Sequence, residues 1–545
     1  MNHTEESTPS NGLRPVGQWP AKEILLVTVL VVATFLYRAY FIRTYDVMSA
    51  DGTSYSTMGK AFLETWDPHV FGTIAPPLYS IFIGAFDLVF NDLELSARLV
   101  SVVFSTLTLI PLYLMAREAF GRTAAVTTAL LFATLPFIHG MSGIDITEPT
   151  YTCFVVAGAY VFWRGVMTGR LLLYAAAGAL LGAAYLARPE AFIACVALTL
   201  FFFGRNILGR NWSSLKRSCL LLVCFWCGFL ILASPYMWYL HDVTGKWQLS
   251  GKSGVNSEVI REYRGTITTN DQKFRLDDHG NFTEGKGQSL FKIMRDEPDL
   301  FWGNIWKNIR ELPPAFNGVF QVYLWPFILV GLMTRPRRGT SLDMHLILLG
   351  ILAPLAIYLL FFVQPRGFYA YVPGLLVWAG AGGKKISDWI GSASWPFPLV
   401  LPVVVALSAY YVFTEIPRPK PPYNYNQDMG RYDDKQIGRR LRSIIPENVP
   451  IMTRSGRIAF YAGKKMIIPP QADYPDIIAY ARKNRAGYLI ATTQLVGMRP
   501  QLQFLFSPIL EPTKNFTPPP ELELRYMGLE PGGLPYLVYR IKDRD

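Results

Sequence analysis

Charge is scarce in this sequence. Asp, Glu, Lys and Arg make up 17% of its 545 residues, against 51% that are hydrophobic and 14% aromatic. A water-soluble chain carries about 25% charged residues, so a purely soluble protein is excluded and a membrane solvent is implied. Cysteine is scarce too, and all five (Cys153, Cys195, Cys219, Cys224, Cys227) fall in apolar runs. That excludes a disulfide framework and a cysteine zinc site. The C-x-x-C spacing of Cys224 and Cys227 has no polar partner and reads as packing. The histidines show no ligand spacing, so no metal and no cofactor is expected. A hard cation held by Asp51 and Asp145 is the arrangement left open.

What the chain has instead is a succession of apolar runs, among them residues 24–36, 124–135, 171–185, 220–232 and 346–363. With their flanks they approach the length that crosses a bilayer. The expected fold is a polytopic α-helical membrane protein with about eleven crossings. These lie near residues 22–42, 95–116, 123–139, 149–166, 171–187, 190–204, 218–240, 318–334, 344–363, 370–383 and 395–414. No small-residue cleavage pattern follows the first run, which is read as a retained helix.

The net charge of +12 does not form one basic face, so nucleic acid is not an expected partner. The positive residues alternate between connections instead. Arg117 and Arg122, Arg164 and Arg170, Arg205, Arg210, Lys216 and Arg217, then Arg335, Arg337 and Arg338, and finally Lys384 and Lys385 mark inside connections. The short connections near Gly140, Arg188 and Arg366 are poor in positive charge and are assigned outside.

Two long outer loops, residues 43–94 and 241–317, are too long to be turns. The first holds amphipathic stretches at 53–63 and 77–90 suited to the membrane surface. Residues 1–414 are thus expected to form the membrane domain. Pro417, Pro419, Pro421 and Pro422 read as a linker to a small outer α/β domain, residues 415–545. In that domain helices are expected at 432–444 and 474–484, and strands at 451–453, 488–492 and 536–541. It contains no G-x-G-x-x-G, Walker, H-E-x-x-H or nucleophile-elbow motif, which directs the search for chemistry elsewhere.

Polar residues at the outer ends of apolar helices are the candidates. Asp51, in Ala50-Asp51-Gly52-Thr53, reads either as a carboxylate poised to accept a proton or as a helix cap. Asp145 and Glu148 would share one face if their turn is already helical, or would simply complement a helix dipole. Arg188 and Glu190 read as substrate contacts or as a lone ion pair. Arg366, followed by Tyr369, could clamp a phosphate or anchor the interface. Lys252, at the start of the second long loop, reads as a phosphate contact or a solvated lysine.

Taken in order, these segments resemble GT-C glycosyltransferases of the family 39 type, which include protein O-mannosyltransferases and lipid A aminoarabinose transferases. The resemblance rests on Ala50-Asp51-Gly52-Thr53-Ser54-Tyr55, Pro76-Pro77-Leu78-Tyr79, Ser96-Ala97-Arg98-Leu99, the Asp145 loop, Leu186-Ala187-Arg188-Pro189-Glu190 and the Arg366 segment. It implies inverting transfer from a polyprenyl-phosphate sugar to a glycan, lipid or protein hydroxyl outside the cytoplasmic membrane, with Asp51 as general base. Tyr55, Asp145, Glu148, Arg188, Glu190, Lys252, Arg366 and Tyr369 are then the substrate-binding candidates. One departure stands out: aminoarabinose transferases carry a Lys just before the proline-rich stretch, and Thr73-Ile74-Ala75-Pro76-Pro77 has none. A transporter of lipid-linked sugars is the alternative. The charges gather at one face and no internal repeat is visible, which favours the transferase.

Overall fold

A computed structural model describes residues 20–208, 215–252, 260, 276, 290–336, 341–391, 399–415, 432–510, 516–529 and 535–542. The proline linker and Arg210, Arg337 and Arg338 lie outside the described residues. Among the described residues four helical segments are long and apolar enough to cross a membrane, or six if two bent pairs count as one span each. Shorter apolar helices include Leu171–Ala187 and Val400–Thr414.

The chain opens with α1 (Ala21–Phe41) and continues through α2 (Ala50–Thr65), α3 (Leu78–Phe90), α4 (Leu93–Leu107) and α5 (Leu109–Phe120). Then come α6 (Arg122–Thr134), α7 (Pro136–Ser142), α8 (Glu148–Thr168), α9 (Leu171–Ala187), α10 (Ala191–Leu208) and α11 (Leu215–Thr244). Close packing of α9 on α11 follows from small residues. A methyl group at Gly178 or Gly228 would overlap the backbone of the facing helix, the device by which helices without a hydrophobic drive between them approach closely. Cys224 is half-buried and Cys227 exposed on α11, both as free thiols.

Several expected helices are interrupted at proline. The run expected at 95–116 is one long apolar span, Leu93–Phe120, with a local break between α4 and α5 where Pro111 has no N–H for the Leu107 carbonyl. The run expected at 123–139 bends by 56° before Pro136. The largest correction concerns 318–334. Helix Pro298–Val319 ends there, and the next helical piece turns away by 93°, with Phe320 extended between them. The helix expected at 370–383 runs on from Val372 to Ile390. The run expected at 344–363 is three pieces, Ser341–Leu352, a 3-10 turn and Ala356–Leu360. Its last carbonyls, Leu359, Leu360 and Phe361, are taken by the amides of Asn304 and Asn308, which satisfies groups a helix end leaves open.

The direction of α1 separates two polar regions. Glu23 lies in its first turn and Asp51 follows its end; the helix is 21 residues long, roughly 30 Å at 1.5 Å per residue. At the Glu23 end lie the pairs Glu23–Arg117, Glu118–Arg164 and Asp343–Arg205. At the other end lie the sequence candidates.

The C-terminal residues form a five-stranded sheet of order β2-β1-β3-β5-β4. Its strands are β1 (Ile451–Met452), β2 (Met466–Ile467), β3 (Tyr488–Thr492), β4 (Leu522–Leu529) and β5 (Pro535–Ile541). The first three are parallel, and β5 runs antiparallel to both β3 and β4. Helices Tyr432–Ile444 and Tyr474–Lys483 stand where the sequence placed them. Helix Gly456–Ala462 and strands β2 and β4 were not expected.

Candidate active site

Asp51 sits in the first turn of α2, and Ser49, not Asp51, caps that helix by accepting from the Gly52 N–H at 2.8 Å. The capping alternative for Asp51 is thereby removed, and its carboxylate stays half-exposed, at 51%. Asp145 lies underneath. It accepts from both the Ser49 N–H and the Ser49 hydroxyl at 2.8 Å. A side chain on Gly52 would overlap the Asp145 carboxylate, so the glycine after Asp51 is what lets the helix rest on this acid. Burial pushes the Asp145 carboxyl above its ordinary range, against the opposing pull of Arg98 and the Ser49 donors.

Asp145 and Glu148 do not share a helical face as expected. Helix α8 begins at Glu148, so Asp145 lies in the bend before it and turns to Ser49, while Glu148 turns to two arginines. Glu148 is 3% exposed; its Oε1 meets Arg188 Nη1 at 2.5 Å and Arg366 Nε at 3.8 Å. Arg366 in turn reaches Asp51 at 3.2 Å, and Arg188 reaches Glu190 at 3.0 Å. The result is an ion-pair ladder, Asp51–Arg366–Glu148–Arg188–Glu190, assembled from four separate parts of the chain.

Lys252 belongs to the same field. Burial, then Arg188, lowers its affinity for a proton, with Glu190 and Asp51 opposing. Glu190 is held below the usual glutamate range because Arg188 and Lys252 outweigh the effect of its burial. Burial, then Asp51 and Glu148, pushes the Tyr55 phenol up, and its ring packs edge-on to Tyr79 at 5.5 Å. Three carboxylates, Asp51, Glu148 and Glu190, thus balance three cations, Arg188, Lys252 and Arg366. The open face of this balanced set is at Asp51.

Tyr369 is a correction. It is fully buried beneath the ladder, its hydroxyl 3.3 Å from that of Ser142, and it is not a partner of the Arg366 guanidinium. The turn Pro365–Ala370 is wound as a 3-10 helix, and its two polar side chains end on different partners, Arg366 on Asp51 and Glu148 and the Tyr369 hydroxyl on Ser142. Sequence reasoning missed Tyr358, an aromatic hidden in an apolar run, whose hydroxyl fills the space a Gly367 side chain would need. Its proximity is felt by Arg188.

Gly251 backs onto the Thr73 carbonyl so closely that a methyl group would not fit, which brings Lys252 beside the 73–77 segment. Among the described residues no three His, Cys, Asp or Glu side chains gather as metal ligands, and Asp145 Oδ2 is committed to Ser49.

Residues 75–239 match the family model described as dolichyl-phosphate-mannose-protein mannosyltransferase. The undecaprenyl phosphate-alpha-4-amino-4-deoxy-L-arabinose arabinosyl transferase of Pseudomonas aeruginosa is 25% identical over 199 residues, 34% of this chain. The matched region spans 36% of that relative's length. Among solved structures, ArnT from Cupriavidus metallidurans superimposes with a TM-score of 0.58 in the apo state and 0.54 bound to undecaprenyl phosphate. The alignments cover 95% of this chain and 98% of that one, at 12% and 13% identity. The chain is therefore a membrane protein that shares the fold of ArnT from Cupriavidus metallidurans.

Proposed function

We propose that this protein is an inverting glycosyltransferase that moves a sugar from a polyprenyl-phosphate donor to an acceptor hydroxyl, with Asp51 as general base. The observation that carries the reading is the half-exposed Asp51 carboxylate at the open end of a cluster containing three cations. In a single displacement the acceptor oxygen attacks the anomeric carbon while its proton passes to Asp51. The bond from that carbon to the phosphate oxygen breaks, and its electron pair leaves on the phosphate. Attack from the side opposite the leaving group inverts the anomeric centre.

Charge develops on the phosphate as the bond breaks, and preorganised cations stabilise it. Arg366 and Lys252 are assigned to that task, with Lys252 supplying the charge that the first loop lacks. Buried Glu148 orients Arg366 and Arg188 together. Binding of undecaprenyl phosphate by a structure of the same fold supports this donor class. The acceptor is a glycan, lipid or protein hydroxyl.

The site is assigned to the extracytoplasmic face of the inner membrane. The Glu23 end collects Arg117, Arg164 and Arg205, as cytoplasmic ends do, and the site lies at the opposite end of α1. The C-terminal domain is assigned to the same side as Asp51, because Lys435 and Arg457 donate to the main chain of Asp46 and Met48 just before it.

The test is Asp51→Asn in purified protein, assayed with polyprenyl-phosphate sugars extracted from source membranes. A general base contributes about 100- to 10,000-fold, so transfer should fall by at least about 100-fold while undecaprenyl phosphate still binds. Turnover within tenfold of wild type would remove Asp51 as the base.

A further inference from the structure

We infer that the C-terminal domain is a working part of the Asp51 site, in which Lys435, Arg457 and Tyr461 fix the backbone of residues 46–48 and so position the Asp51 carboxylate. The inference rests on the reading of Asp51 as the base.

Residues 45–49 join the end of α1 to α2 and have no regular secondary structure. Their backbone groups must find partners elsewhere. Lys435 Nζ donates to the Asp46 carbonyl at 2.8 Å, and Arg457 Nε to the Met48 carbonyl at 2.9 Å. The Met48 N–H donates to the Tyr461 hydroxyl at 3.0 Å. The next N–H, that of Ser49, goes to Asp145. Three of these four tethers therefore come from side chains about 400 positions away in the chain, and Asp51 follows only three residues after Met48.

The tethers are themselves held. Lys435 Nζ also lies 3.0 and 2.9 Å from the two oxygens of Glu94, which pairs with Arg98 at 2.7 Å. Arg457 faces Asp434 at 3.5 Å, and Asp434 accepts from the Ser455 hydroxyl at 2.8 Å. Lys435, Arg457 and Tyr461 are all buried, and Met48 is completely so. Burying a lysine and an arginine is costly unless their donors are well placed, and both spend a donor on the main chain of one short segment. Gly456, at the start of the same short helix, rests against Thr53 of α2.

The chemistry assigns a division of labour. The cations that meet the phosphate come from the membrane helices and their loops, whereas the placement of the base depends on the soluble domain. Loosening the tethers should lower the rate of the chemical step and leave donor binding alone, because a displacement of about 1 Å at a reacting group costs up to about 100-fold.

The experiment uses the full chain in nanodiscs, with polyprenyl-phosphate sugars extracted from source membranes as donor and undecaprenyl phosphate as binding probe. Tyr461→Phe should lower kcat by about tenfold or more with KM for the donor within about twofold. Lys435→Met should do the same, and Lys435→Arg should recover most of the loss. Independently of turnover, hydrogen exchange in residues 46–56 should rise in Tyr461→Phe and Lys435→Met. Wild-type exchange and kcat in both variants would overturn the inference, as would a parallel fall in undecaprenyl phosphate affinity and thermal stability. Failure of the base reading is seen separately, as an Asp51→Asn protein that still turns over while exchange in 46–56 keeps its dependence on Tyr461.

Discussion

The two ends of the helix bundle use the same residue types in opposite ways. At the Glu23 end, Glu23, Glu118 and Asp343 are nearly buried, and each is met by one arginine at 2.7, 2.6 and 2.8 Å. At the Asp51 end, Glu148 is shared by two arginines, Arg366 is shared by two carboxylates, and the series finishes in a half-exposed Asp51. A one-to-one buried pair is neutral in itself and acts as a lock between helices. A shared ladder can exchange one partner for a phosphate without leaving a charge bare, which is what a site that repeatedly binds and releases an anion requires.

Breaking the ladder at its centre should have the largest effect. Glu148→Gln removes the common counterion of Arg188 and Arg366, so kcat should fall by about 100-fold through misorientation. The added positive charge should leave undecaprenyl phosphate bound as tightly as before or more tightly, measured by calorimetry. A variant that loses affinity and rate together would erase the proposed distinction between orienting and binding groups.

The locking end should respond in the opposite sense. Arg164→Ala strands the buried Glu118 carboxylate, which also accepts from Tyr160, and breaking such a pair costs about 3–5 kcal/mol of stability. Turnover per folded molecule should stay within about twofold, as 30 Å or so of helix separates the two ends. Thermal unfolding with parallel kinetics checks this, and a selective loss of kcat would break the comparison.

Arg366→Ala should weaken undecaprenyl phosphate binding by about tenfold, the scale of one charge-assisted hydrogen bond, while acceptor choice is unchanged. An unaltered donor affinity would move the phosphate to Arg188 and Lys252.

The smallest effect concerns pH. Lys252 is more readily deprotonated than an ordinary lysine, through burial and the neighbouring Arg188. It therefore loses its positive charge at a lower pH than a free lysine would, so phosphate affinity should decline on the alkaline side before the ordinary lysine range is reached. By linkage the same shift makes the folded state bind fewer protons than the unfolded one in that interval, so this group alone makes stability rise with pH there. Lys252→Met should flatten the affinity decline, and an unchanged profile would assign it to another group.

Much of the architecture was legible. Apolar runs located α8 and α9 to within a residue or two, because length and hydropathy are local properties. The amphipathic stretches of the first outer loop appear as α2 and α3. The 318–334 reading failed because a run of apolar residues does not record that the chain turns sharply at Phe320. In the site, Asp51, Tyr55, Glu148, Arg188, Glu190, Lys252 and Arg366 come together, while Asp145 and Tyr369 face other partners. Two glycines carried an unused signal. Gly52 and Gly367 each follow a charged site residue, and each leaves room for a polar side chain from elsewhere.

By itself the sequence determined that this chain lives in a membrane and which polar residues stand at helix ends, since both follow from the local cost of placing charge in hydrocarbon. Only the tertiary structure decided that Asp145 supports the cap of α2, that Glu148 sits between two arginines, and that Lys435, Arg457 and Tyr461 of the distant C-terminal region grip the segment before Asp51. Those are choices among partners far apart in the chain, made by packing and by the requirement that buried polar groups be satisfied.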